Sequence, residues 1–97
     1  MKLLEIVKAK NKNKKYTAIF EIDDDKIKKI SFGANPNIYQ DYTTHKDKKR
    51  RWLYRKRHHK DNIDDPLTPG ALSWYILWGD NIDINKNIQN FKKKFDL

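Results

Sequence analysis

Between residues 45 and 60 lie nine basic side chains and a single acid, Asp47. The bases are Lys46, Lys48, Lys49, Arg50, Arg51, Arg55, Lys56, Arg57 and Lys60. A guanidinium is a planar fork of donors that meets a phosphate with two parallel hydrogen bonds, and Tyr54, in the middle of the run, offers a ring on which a base or sugar can stack. At helical spacing Arg50, Tyr54 and Arg57 fall at i, i+4 and i+7, while Trp52, Lys56 and His59 share the opposite side. One face is then expected to dock on the domain and the other to bind. Like charges four residues apart, such as Arg51 and Arg55, each oppose a helix by roughly 0.2–0.5 kcal/mol, so something anionic is expected to offset them. The chemistry that follows is non-enzymatic, cofactor-free contact with the phosphate backbone of DNA or RNA. The expected contacts are Lys46, Lys49, Arg50, Arg51, Tyr54, Arg55, Arg57 and His58, with the lysines of residues 8–15 as a nonspecific arm.

The same residues admit plainer readings. The helix can be a solvated face partly neutralised by Asp61, Asp64, Asp65 and the Asp23, Asp24, Asp25 triad, since exposed pairs of that kind contribute only ~0–1 kcal/mol each. It can also meet an acidic protein surface, as in a structural or adaptor protein. His58, His59, Asp61, Asp64 and Asp65 are metal-ligand types, but adjacent helical histidines point about 100° apart, and acids ahead of Pro66 are expected as loop and cap residues. His45 with Asp47 lacks the nucleophile or glycine-rich loop that would make an acid–base pair useful, and reads as part of a helix cap. The 23–25 triad lacks the twelve-residue pattern of a calcium loop and reads as a hairpin turn. No catalytic, metal or cofactor site is expected.

These groups must be held by a small body. The chain has 97 residues, a formal net charge of +9, 37% apolar residues and no cysteine, which excludes disulfides, thiolate zinc clusters and cysteine nucleophiles. Three Trp, five Tyr and four Phe supply more anchoring surface than a disordered tail carries. One domain covering residues 1–97 is expected. The first residues lack the apolar stretch of a signal peptide, and the longest apolar run, 71–78, falls far short of the ~20 residues of a membrane span.

Alternation over Leu4 and Ile6, then Tyr16, Ala18, Phe20 and Ile22 on one face, then Ile30 and Phe32, predicts a three-stranded antiparallel meander. Polar breaks at residues 10–15 and 23–25 mark its turns, and residues 33–37 end it. Thr44 with Asp47 predicts a capping-box start to a helix over 45–59. Thr68, Pro69 and Gly79 predict a helix over 69–78 that is apolar nearly all round and therefore central. Asp83 caps a last helix whose stripe is Ile84, Ile88, Phe91 and Phe95. The fold class is α+β, a meander packed by two or three short helices, with Phe20, Ile22, Phe32, Leu72, Ile76, Ile88 and Phe91 buried.

Residues 15–95 also carry a resemblance. It runs through Phe32-Gly33-Ala34, Asp41-Tyr42-Thr43 with His45 and Asp47, Arg57-His58, Asp65-Pro66 leading to Thr68, Gly70-Ala71-Leu72-Ser73, Ile76-Leu77-Trp78 and the basic aromatic segment 91–95. In this order the chain resembles a family of short, functionally uncharacterised proteins of nucleocytoplasmic large DNA viruses. It departs from that pattern at Asn62-Ile63-Asp64, where a Trp is expected before Asp-Pro, and at Phe91, where a Tyr is expected. The resemblance implies a viral protein in the cytoplasm or nucleus of a host cell, or in the virion, with a nucleic-acid, viral-protein or host-protein partner. It brings no catalytic residue.

Overall fold

The computed structural model describes residues 1–97. Strands β1 (Lys2–Lys8), β2 (Tyr16–Asp23) and β3 (Lys26–Phe32) form the expected antiparallel meander in the order β1-β2-β3. Helices α1 (Tyr42–His45), α2 (Lys48–His58), α3 (Pro69–Leu72) and α4 (Ile84–Phe95) follow, and α3 runs directly into a π-helical turn over Ser73–Leu77. The class is α+β.

Period-two alternation sets the inner face of the sheet. Ala18, Phe20 and Phe32 are fully buried, Leu3 and Ile30 nearly so, and Tyr16 and Ile22 pack at their edges. The β2–β3 turn falls at the acidic triad, where Asp25 takes a left-handed backbone (φ 70°) of the kind an Asp tolerates in a tight turn. β1 departs from the expected alternation: the pairing shifts between Leu3 and Glu5, so Leu3 turns inward and Leu4 is left 48% exposed. A bulge reverses which side chains face the core beyond it, and the period alone cannot reveal one.

Above the sheet lie Leu72, Ile76, Leu77 and Phe91, which complete the core with the strand residues. The stripe of α4 is as read from the sequence, with Asp83 accepting from the Asn85 amide, although Ile88, like Ile22, is half-buried at the margin rather than enclosed. Thr68 caps α3 by accepting from the Ala71 amide, with Pro69 at the first helical position. The expected α-helix over 69–78 holds only for its first turn. From Ser73 the backbone widens, with the Trp78 amide reaching the Ser73 carbonyl (3.0 Å), and the helix ends at Gly79. A Cβ on Gly79 would run into the Tyr75 carbonyl oxygen and meet Asn87 Cγ at 2.9 Å, so the last turn closes only around a glycine.

The expected helix over 45–59 forms as α2 over Lys48–His58, and a separate helical turn, α1, precedes it. Asp41, not Thr44, caps α1: its carboxylate accepts from the Thr43 amide (3.0 Å) and is held by Lys15 Nζ (2.6 Å). Lys46 turns left-handed (φ 59°), which stops α1. Asp47 then starts α2 as its N-cap, accepting from the Lys49 and Arg50 amides at 2.9 and 3.2 Å. The capping chemistry was correct in kind but displaced by three residues, because two Asp side chains compete for the role read from Thr44.

Candidate nucleic-acid interface

Helix α2 has no buried residue. It is held to the body by guanidinium groups and rings, and its 100° step divides its side chains into three sectors.

The docking sector is Arg51, Tyr54, Arg55 and His58. Tyr54 is sandwiched between Trp78 (centroids 4.2 Å apart, planes 3° apart) and His58 (4.3 Å, 28°). Burial pushes the Tyr54 hydroxyl pKa up to about 12, with Asp61 adding to the effect. The Arg55 guanidinium lies 4.5 Å from the Trp74 ring, and its Nε and Nη2 both donate to the Trp78 carbonyl at 3.1 and 3.0 Å. Arg51 Nε donates to the Trp78 and Gly79 carbonyls (3.2 and 2.8 Å), and its Nη2 pairs with Asp80 at 2.7 Å. These carbonyls end the π-turn, where a helix leaves acceptors without intrahelical donors and carries partial negative charge. The wide turn brings Trp74 and Trp78 to the side that faces α2, so the same short segment supplies both the rings and the acceptors.

Four of the expected contacts are thereby corrected. Arg51 and Arg55 do not wait for a polyanion: helix-end carbonyls, aromatic faces and Asp80 offset their mutual repulsion. Burial, and then the neighbouring Arg51 charge, lower the Arg55 pKa from the usual guanidinium value. Tyr54 cannot stack on a base, since both of its faces are covered. His58 Nδ1 is 2.8 Å from Asp61, an intramolecular pairing. The side expected to dock is instead open: Trp52 is 58% exposed, with Lys56 Nζ 5.0 Å from its ring, and His59 is exposed.

The outward sector is Lys48, Lys49, Trp52, Lys56 and His59. The third sector, Arg50, Leu53 and Arg57, forms one wall of a cleft of about 650 Å³. The loop after β3, including Ile38 and Tyr39, also lines it, as do Trp78 and the start of α3. Arg50 and Arg57 are exposed and have no carboxylate within ion-pair distance, nor do Lys46, Lys48, Lys49, Lys56 or Lys60. Of the eight residues expected from the sequence, Lys46, Lys49, Arg50 and Arg57 remain available. The proposed lysine arm is a hairpin loop in which Lys15 is tied to Asp41, while Lys14 reaches the cleft.

His45 packs 5.2 Å from the Trp78 ring, and its Nδ1 accepts from the Asp47 amide (2.9 Å) at the start of α2. Its Nε2 is buried without a partner; burial, then the nearby Arg50, lower its pKa below the ordinary value. The geometry is that of the expected helix cap and not of an acid–base pair: the imidazole steadies the N-cap residue, and the carboxylate serves the helix. No three His, Asp or Glu side chains converge as metal ligands. His59 Nδ1 lies 2.7 Å from the Lys56 carbonyl, while His58 Nδ1 meets Asp61.

Sequence reading missed Tyr39 and Leu53 as cleft residues and Asp80 as the partner of Arg51. Tyr39 carried a signal, an aromatic next to Ile38 in a polar turn with no strand or helix to bury it. Asp80 carried none beyond its place just after a predicted helix end.

Residues 4–58, more than half of the chain, match the model of a family of unknown function, DUF5754. No curated protein and no solved structure matches. The family match spans all of the sheet but the first two residues of β1, together with α1 and α2. No helix is long and apolar enough to cross a membrane.

Proposed function

The chain belongs to the DUF5754 family of unknown function, and from that premise, which carries no activity with it, we propose that it is a non-enzymatic nucleic-acid-binding protein that contacts phosphates through α2. One observation carries this reading: seven cations on and beside that helix, Lys46, Lys48, Lys49, Arg50, Lys56, Arg57 and Lys60, lack an intramolecular carboxylate, whereas Arg51 and Arg55 are satisfied internally. Unpaired charge held on a rigid rod raises the local potential and favours a polyanion. The binding is expected to be of backbone type, since neither the lysines nor the exposed guanidinium groups are fixed by neighbours in the way that base-edge readout requires. The likeness to short proteins of large DNA viruses would place this activity in an infected cell or a virion.

Titrating a fluorescent duplex with the protein over a range of salt concentrations tests the proposal. Binding through four to six phosphates gives a log–log slope of about −4 to −5. Absence of binding to DNA or RNA at low salt would overturn it.

Trp52 favours a second reading. An indole 58% exposed beside Lys56 is the kind of anchor that protein interfaces use, and it would suit an acidic partner surface burying about 1,000 Å² or more. A protein partner captured equally well after nuclease treatment, and lost with Trp52→Ala, would favour it.

A further inference from the structure

We infer that the cleft between α2 and the loop after β3 takes a single-stranded segment of nucleic acid, with a base stacked on Tyr39 and the backbone on Arg50 and Arg57. The inference rests on the nucleic-acid reading above and names the form of the polymer.

Three observations converge on it. Of the five tyrosines, Tyr16, Tyr42, Tyr54 and Tyr75 each pack against another ring; Tyr39 has no aromatic neighbour and is 62% exposed. Its loop is nonetheless ordered: the Tyr39 and Ile38 amides donate to the Asn35 carbonyl at 2.8 and 3.1 Å, and the Asn37 amide donates to the Asn35 side chain at 2.9 Å. An exposed ring on a pinned turn is a stacking platform whose ordering precedes binding, so little entropy is lost when a base arrives.

In the same cleft, Arg50 and Arg57 sit seven residues apart on α2, about 10 Å along the axis. That separation lets the two guanidinium groups meet different phosphates of one strand rather than one isolated phosphate. Of the acids at the cleft, Asp41 is paired with Lys15 and Asp61 is hydrogen-bonded to His58, and the cations Lys14, Arg50 and Arg57 outnumber them, so the charge facing the opening is cationic.

Shape decides between strand and duplex. Duplex recognition brings a convex element into a groove about 12 Å wide. Here the two guanidinium groups and the ring line a concavity of about 650 Å³, which a flexible strand can enter and a rigid double helix cannot. Base stacking tolerates any sequence because every base has a π face.

The test compares fluorescence anisotropy of labelled fifteen-nucleotide oligothymidylate with that of a fifteen-base-pair duplex, for the wild type and for Tyr39→Ala and Tyr39→Phe. The expected result is tighter binding of the single strand, a loss of about fivefold or more with Tyr39→Ala, near-wild-type binding with Tyr39→Phe and an unchanged duplex affinity. Equal binding of both forms with no effect of Tyr39→Ala, or binding of the duplex alone, would overturn this inference and leave the phosphate-contact reading standing. Binding of neither would overturn both.

Discussion

Arginines four residues apart serve a purpose that their number alone conceals. Arg51 and Arg55 close the exposed end of the π-turn and grip Trp74 and Tyr42 through their planes, whereas Arg50 and Arg57, one step round the helix, touch no acid. Replacing Arg55 with Met removes two charge-assisted hydrogen bonds to one carbonyl, and a loss of about 1.5–3 kcal/mol in urea denaturation is expected. Arg50→Ala is expected to leave that stability within about 0.5 kcal/mol, as exposed substitutions do. Tyr54 offers a second test at this scale. Its pKa is raised from 10.0 to about 12 by burial, so the folded state holds the phenolic proton more tightly than the unfolded chain does. The resulting stability is complete below pH 10 and is lost as pH rises toward 12. Tyr54→Phe, which keeps the stacked ring, should unfold with a visibly smaller alkaline dependence over that window.

At the scale of elements, the fold turns on how the π-turn is held at both ends. Asn87, 1% exposed, donates to the Ile76 carbonyl (2.9 Å) and the Asn81 carbonyl (2.7 Å) and accepts from the Asn81 amide (3.0 Å). It thus joins the turn, the 79–83 connection and α4. Asn87→Ala leaves these groups without a partner, and a loss of about 1–3 kcal/mol is expected, read from the thermal or urea midpoint. The sheet, the last helix and the Thr68-Pro69 start were legible in the sequence because alternation, a helical stripe and a proline-bearing cap are local patterns. The bulge at Leu3, the division into α1 and α2, and the widening at Ser73 were not. Each depends on a competitor elsewhere in the chain: strand register, the rival caps Asp41 and Asp47, and the approach of Asn87 to Gly79. For the site, the basic run was legible but its division was not. Arg51 and Arg55 look like their neighbours Arg50 and Arg57 until the carbonyls and rings of residues 74–79 are placed beside them.

For the whole molecule, the outcome is a charge distribution of two kinds on one helix: an inner set consumed in fastening α2 to the body, and an outer and cleft-facing set left over. The family match covers the helix that carries both. The central claim, that the leftover set binds a polyanion, is tested most directly by the salt dependence of single-strand binding in the wild type and in the double variant Arg50→Ala/Arg57→Ala. With two phosphate contacts removed, the magnitude of the log–log slope should fall by about 1.4 while the thermal midpoint stays unchanged. A slope identical to that of the wild type would contradict the account.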